Sequence, residues 1–276
     1  MYEMTCEEFQ QKIPGLPSYS LASTEIKDVL LKAADYGVPQ MRERIFLVGI
    51  NDEYENCKFE YPPKTHGINC DLPYVSVADA LMDLPTVNTK EENNVYDFNF
   101  SQLSNGNRVQ FLRRMRGDLS MVPNHIVFND HSLSSHKGPG HTKKMMHRIK
   151  LILQGENMKS AYDRLKKEDN IELFDEYFPN KLYSARNRRL RADEPSFTVT
   201  SHCLDEMIHP FSDRALTPRE AARLQSFPDW YQFKGPYVKF HSDVQQDRYE
   251  QIGDAIPPLL AYALAEQIVK TLNSSK

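Results

Sequence analysis

The feature that most limits how this chain can fold lies at its C-terminal end. In QIGDAIPPLLAYALAEQIVKTL, residues 251 to 272, Leu259, Leu260, Ala263, Leu264, Ile268 and Leu272 recur at helical spacing and form one apolar stripe. Prolines open this helix in its first turn, where a missing N–H costs nothing. So long a stripe, following a polar stretch, must be covered. The surface on offer is the α/β patterning at the other end of the chain, so the two ends are expected to meet.

That first piece, residues 1 to 87, contains a short polar helix near TCEEFQQKI, then EIKDVLLKAADYG running from strand into turn, then the strand RIFLVGI. SVADALMDLP reads as a capped helix stopped by Pro85, and the polar, aperiodic TVNTKEENNVYDF as a linker. Residues 88 to 245 form an irregular middle piece with one long amphipathic stretch around HTKKMMHRIKLIL. Residues 246 to 276 supply a Gly-containing loop and the final helix.

No apolar run approaches the roughly 20 residues that cross a bilayer, and the N-terminal residues lack a signal-peptide pattern, so a cytoplasmic protein is expected. Cys6, Cys57, Cys70 and Cys203 are scattered and read as reduced structural thiols. The net charge of −4 hides an uneven distribution. Residues 101 to 200 carry 18 Lys and Arg against 11 Asp and Glu, a balance of +7, while the other 176 carry 16 against 27, a balance of −11. Three basic clusters lie in that middle: RVQFLRRMR, KGPGHTKKMMHRIK and KLYSARNRRLR. Such a patch is built to meet an anion, and a nucleic acid is the natural one.

In AADYGVPQMRERIFLVGI, Gln40, Arg42 and Arg44 alternate, which in an extended chain sends all three to one face. RALTPREAARLQSFPDWYQF reads as a helix capped by Thr217, with Pro218 at its first position and Glu220 closing a capping box. Arg219, Glu220, Arg223 and Gln225 are expected to serve structure, and Trp230 to anchor a core. His125, His131, His136 and His141 fall at spacings that suit no single helix face, and no Cys joins them, so metal ligation is not expected.

AADYGVPQMRERIFLVG, RALTPREAARLQSFPDWYQF and YEQIGDAIPPLLAYALAEQI, in that order, resemble the last three motif blocks of the cytosine-5 DNA methyltransferases. DALMDLP, NHIVFNDHS, RIKLILQGENMKS and YSARNRRLRADEPSFTVT resemble the family's bacterial members around the target recognition domain, so the likeness runs from about residue 20 onward. It implies an α/β fold: the C-terminal portion of a Rossmann-like methyltransferase domain, made of the hairpin strand region and last helix, with a smaller mixed target recognition domain.

The family's opening blocks are absent from this sequence. The one G-x-G, Gly138-Pro139-Gly140, follows no strand; no cysteine follows a proline; and Glu-Asn at Glu55, Glu92 and Glu156 is never followed by Val. The chain therefore resembles the C-terminal half of a methyltransferase whose Gly-rich loop, Pro-Cys nucleophile and Glu-Asn-Val carboxylate lie on a partner chain, a division known within the family. Alone, it is expected to be inactive.

Residue by residue, the resemblance makes Arg44 the donor to cytosine O2, Arg42 the orienter of the partner's carboxylate or nearby backbone, and Gln40 a support. Gly253, Asp254 and Ala255 would touch S-adenosylmethionine, shared with the partner, with Asp254 standing where many relatives have Asn. Arg186, Arg188, Arg189, Arg191, Thr198 and Thr200 would meet DNA. A bacterial or phage setting is implied. Two classes stay open: a recognition subunit of a split enzyme, or a non-catalytic DNA-binding derivative or truncated remnant of the same fold, with RNA as a weaker alternative substrate.

Overall fold

The computed structural model describes residues 19–54, 57–99, 106–117, 132–239 and 244–274. The helix expected near TCEEFQQKI, and His125 and His131, lie outside the described residues. The chain begins with a strand at Tyr19–Leu21, a helical turn at Ile26–Val29, a strand at Leu30–Lys32 and a 3-10 turn at Ala33–Tyr36. The strand expected at RIFLVGI divides in two. Glu43–Ile45 pairs antiparallel with Leu30–Lys32, with Leu31 opposite Arg44, and Gly49–Asn51 pairs antiparallel with Tyr19–Leu21. Backbone bonds from Phe46 N to Val29 O and from Ala22 N to Val48 O, 2.9 Å each, carry the chain from one ladder to the next. One apolar run serves both ladders because its two partners flank the Ile26–Val29 turn.

The helix Pro218–Leu224 lies at the centre of the larger core and all seven of its residues are buried. Thr217 accepts from Glu220 N, Glu220 returns on Thr217 N, and Pro218 occupies the first turn, as expected. Its charges are tolerated because each is met. Arg223 donates to both oxygens of Asp83 at 3.0 Å and to those of Asp229 at 2.7 and 2.6 Å. Asp229 also accepts from Arg116 at 3.2 Å. The Arg116 guanidinium lies 3.8 Å from the Tyr96 ring centre, and the Tyr96 hydroxyl returns to Asp83 at 2.9 Å. Arg214 grips Glu220 through two bonds of 2.7 Å. Burial favours the protonated Glu220, but Arg214 outweighs it and holds the carboxyl well below the usual range.

The stretch TVNTKEENNVYDF is not a linker. Val87 and Tyr96 are buried, and the segment pairs with residues 132 to 138 through bridges Glu92↔Lys137 and Val95↔Ser132. Gly138 permits this approach, since a Cβ there would overlap the Asn88 carbonyl. Val87 stands alone, eight residues before Val95, Tyr96 and Phe98, and gives no period, which is why the pairing cannot be read locally.

The terminal helix, Pro258–Ser274, buries Leu259, Leu260 and Leu264 in the same core and packs on the Ala33–Tyr36 turn of the first piece. Its distal half stays open: Ile268 is 40% exposed, Val269 55% and Leu272 51%. The Gly-containing segment before it is helical, Arg248–Asp254, capped by Asp247. A second, smaller core gathers Ile149, Ile152, Met158, Leu165, Phe174, Phe178 and Ile208. No helix among the described residues is long and apolar enough to cross a membrane.

Removing one partner of a buried ion pair leaves a charge uncompensated. Asp83→Ala is accordingly expected to destabilise the fold by about 3–5 kcal/mol, read as a lowered urea midpoint with an unchanged slope.

Candidate functional site

Residues 39 to 42 run beside 196 to 199: Met41 N donates to Ser196 O at 2.7 Å, and Ser196 N to Pro39 O at 3.0 Å. This places Gln40, fully buried, at a junction of three segments. Its Oε1 accepts from Val199 N at 3.0 Å, while its Nε2 donates to Leu224 O at 3.1 Å and to Gln225 Oε1. Gln225 passes the chain of amides on, donating to Ile252 O at 2.9 Å and Ala255 O at 2.8 Å. Gln225 was expected to serve structure. Its link to Gln40 spans 185 residues, and no local signal could reveal it.

Arg42 is buried alongside Gln40. It donates to Val199 O at 2.8 Å and to Gly253 O at 3.0 Å. Burial pushes the guanidinium down to about 10, Arg44 adds to the shift, and Asp254 opposes it. Its terminal nitrogens therefore hold backbone of this same chain. Gln40 and Arg42 share a face as alternation requires, and that face is turned inward. Arg44 does not join them. Beyond Arg42 the chain leaves the Ser196 contact and enters the ladder with Leu30–Lys32, so Arg44 is exposed. It donates to the Glu43 carbonyl at 2.7 Å and makes no ion pair among the described residues.

Gly253 is required for a close approach, but to this chain's own backbone: a Cβ there would overlap Ser201 N and the Thr200 carbonyl. Asp254 is exposed at the helix end and accepts from Gln246 at 2.9 Å. Ala255 is half-buried, and Ile256 beside it is 50% exposed. A carboxylate open to solvent next to an exposed apolar residue suits the ammonium and apolar parts of a methyl donor. The junction thus holds Gln40, Arg42 and Gly253 inside, while Arg44 and Asp254, both exposed, lie near enough to act on the Arg42 guanidinium.

The arginines expected to meet DNA divide. Arg189 is buried and donates to the carbonyls of Ile149, Ile152, His209 and Ser212 and to Asp213, so it clamps the smaller core and cannot face a phosphate. Arg188 lies 3.3 Å from the Phe197 ring centre and 3.9 Å from Glu206. Arg191 is exposed and pairs with Asp193. Arg186 is exposed, and both it and Lys181 lie 5.2 Å from the centre of the Tyr183 ring. Thr198 donates to Met41 O at 3.4 Å and Thr200 to Glu206 at 2.8 Å. Tyr183, a lone aromatic among basic residues, has no spacing in the sequence to mark it. His136 bridges Thr217 and the Pro85 carbonyl, and His141 accepts from Ala215 N.

Comparison with known proteins matches residues 24–270 to the family model of C-5 cytosine-specific DNA methylases. The Type II methyltransferase M.DdeI of Desulfomicrobium norvegicum is 32% identical over 244 residues, covering 87% of this chain and 53% of the relative. M.AgeI of Thalassovita gelatinovora is 28% identical, covering 87% and 65%. M.AquIB of Picosynechococcus sp. is 31% identical over 143 residues, 51% of this chain and 90% of that relative. The solved structure of a DNA modification methyltransferase from an E. coli prophage superposes with a TM-score of 0.60 at 23% identity, covering 92% of this chain and 61% of the other. The chain spans about half the length of M.DdeI.

Because Gly253 packs directly on the Thr200–Ser201 backbone, Gly253→Ala forces two segments apart. It is expected to cost about 1–3 kcal/mol, measured as a fall in thermal midpoint, whereas Ala255→Gly should cost less.

Proposed function

Since the chain belongs to the C-5 cytosine-specific DNA methylase family, we propose that it is the recognition half of a DNA cytosine-5 methyltransferase. It completes its site with a complementary half that carries the Gly-rich loop, the Pro-Cys nucleophile and the Glu-Asn-Val carboxylate. The observation that carries this reading is Arg44, an exposed guanidinium without an ion pair among the described residues, held at the edge of the Gln40–Arg42 junction. Ile45 and Leu47, 58% and 54% exposed, leave apolar surface beside it for the missing half to cover.

Cytosine C5 and C6 are out of reach inside the duplex, so the base must leave the stack. Thiolate addition at C6 builds negative charge on O2, where Arg44 donates; in a site closed to water such a preorganised donor lowers the barrier most. Arg42 and Gln40 act as positioning residues, fixing the hairpin that carries Arg44 against the Val199 and Gly253 backbones. Asp254 and Ala255 would hold S-adenosylmethionine, which supplies the electrophilic methyl group. Lys181, Tyr183, Arg186, Arg188 and Arg191, with Thr198 and Thr200, would meet the DNA backbone and bases, and Arg189 supports them from inside.

Phosphate contact is salt-dependent in proportion to the charges neutralised. Arg186→Ala is expected to weaken DNA binding by the assembled enzyme across all sequences and to flatten its salt slope by about one unit, as followed by fluorescence anisotropy; an unchanged slope removes Arg186 from the interface.

The isolated chain should leave no 5-methylcytosine in DNA, and the assembled enzyme should. In that assembly Arg44→Ala should cut the rate about a hundredfold or more while the halves stay associated. Methyl transfer by the chain alone, or full activity without the Arg44 guanidinium, would favour another arrangement. Association with DNA without any methyl transfer by the assembly would favour the non-catalytic derivative.

A further inference from the structure

Trp230 is the chain's single tryptophan. Expected in a core, it is half-buried instead, on the wall of a cavity of about 430 Å³ shared with Arg114, Met115, Phe227, Pro258 and Tyr262. Two hydrogen-bond donors, Trp230 Nε1 and Arg114 Nε, are shielded from solvent here and have no hydrogen-bond partner among the described residues. Arg114 makes no ion pair among the described residues, and on its other side it lines a second cavity, of about 240 Å³, bounded by Tyr36, His66, Tyr262 and Glu266. Leu259 and Tyr262 border both spaces. The two cavities share Arg114, Leu259 and Tyr262 and so adjoin as a groove along the terminal helix, and the same helix leaves Ile268, Val269 and Leu272 uncovered further on.

A buried donor left without an acceptor is costly, and native proteins keep few of them. An aromatic cavity with a buried indole N–H and an unmatched cation fits an occupant that brings an apolar side chain together with an oxygen acceptor. The chain spans 53% of the length of M.DdeI, so on the half-enzyme reading a large complementary part needs a seat. The groove adjoins the helix whose apolar stripe is covered only at its start.

We propose that this groove seats a segment of the complementary half, which places an apolar side chain against Trp230 and Tyr262 and a carboxylate or carbonyl oxygen on Arg114 Nε and Trp230 Nε1. The inference rests on the half-enzyme reading and deepens it by naming where the halves join.

The test uses the full chain carrying 5-fluorotryptophan, which gives a single ¹⁹F resonance. It is titrated with the part of M.DdeI that lies outside the matched residues, expressed as a separate polypeptide. An equimolar complex with a shifted resonance is expected. Arg114→Met, which keeps bulk and removes the donor, and Ala265→Phe, which fills the cavity from an exposed position, should each weaken association about tenfold, with unchanged circular dichroism. A complex that forms with the resonance unmoved and both variants unaffected overturns the groove assignment and spares the half-enzyme reading. Absence of any complex overturns both. A shift produced by S-adenosylmethionine alone, or by raising the concentration of the chain alone, overturns the assignment in favour of the cofactor or of a second copy.

Discussion

A guanidinium with no access to water must be met on every side, and Arg223 is met by carboxylates from two distant parts of the chain. Asp83 ends the first piece, Asp229 follows the Pro218–Leu224 helix, and Arg116 and Tyr96 close the ring around them. Such a network is weak evidence for net stability, because desolvating four ions is costly. Its consequence is positional. The helix can sit at the centre of the core in one orientation only, and Leu224 and Gln225 at its end are thereby fixed beneath Gln40.

From that fixed end, amides carry order outward. Gln225 holds the backbone at Ile252 and Ala255, Gln40 holds Val199, and Arg42 ties Val199 to Gly253. Every one of these bonds is made by a buried polar group that would be costly to leave unmet. The hairpin bearing Arg44, the segment bearing Thr198 and Thr200, and the helix end bearing Asp254 are held in one frame before any ligand arrives. Preorganisation of this kind is what a donor to developing charge requires.

Where the fold is less finished, it is apolar. The exposed Ile45 and Leu47 on the hairpin, the distal terminal helix and the Trp230 groove all lie outside this polar frame. A chain with a net charge of −4 has ample charged residues to cover such surfaces, and here they are left bare. Bare apolar surface, combined with donors that have no hydrogen-bond partner among the described residues, is what the proposed complementary half would cover.

The sequence alone determined the elements whose information is local. The capping box Thr217–Glu220, the proline-opened terminal helix, the return of that helix to the N-terminal turn, and the order of motif blocks follow from spacing and cap chemistry over a few residues. It also put Gln40 and Arg42 on one face, since alternation in an extended strand is a short-range rule, but the same rule wrongly added Arg44 to them. Only the tertiary structure decided which way they point. It turned Arg42 and Gln40 inward because Val199, Leu224 and Gly253 offer their groups there, and it left Arg44 out because its strand changes neighbours. It also gave Arg189, expected to meet DNA, five acceptors around the smaller core and bridged an apparent linker to residues 132–138. In each case the partner lies far away along the chain, and hydrogen bonding and burial respond to proximity in space, which no window of sequence records.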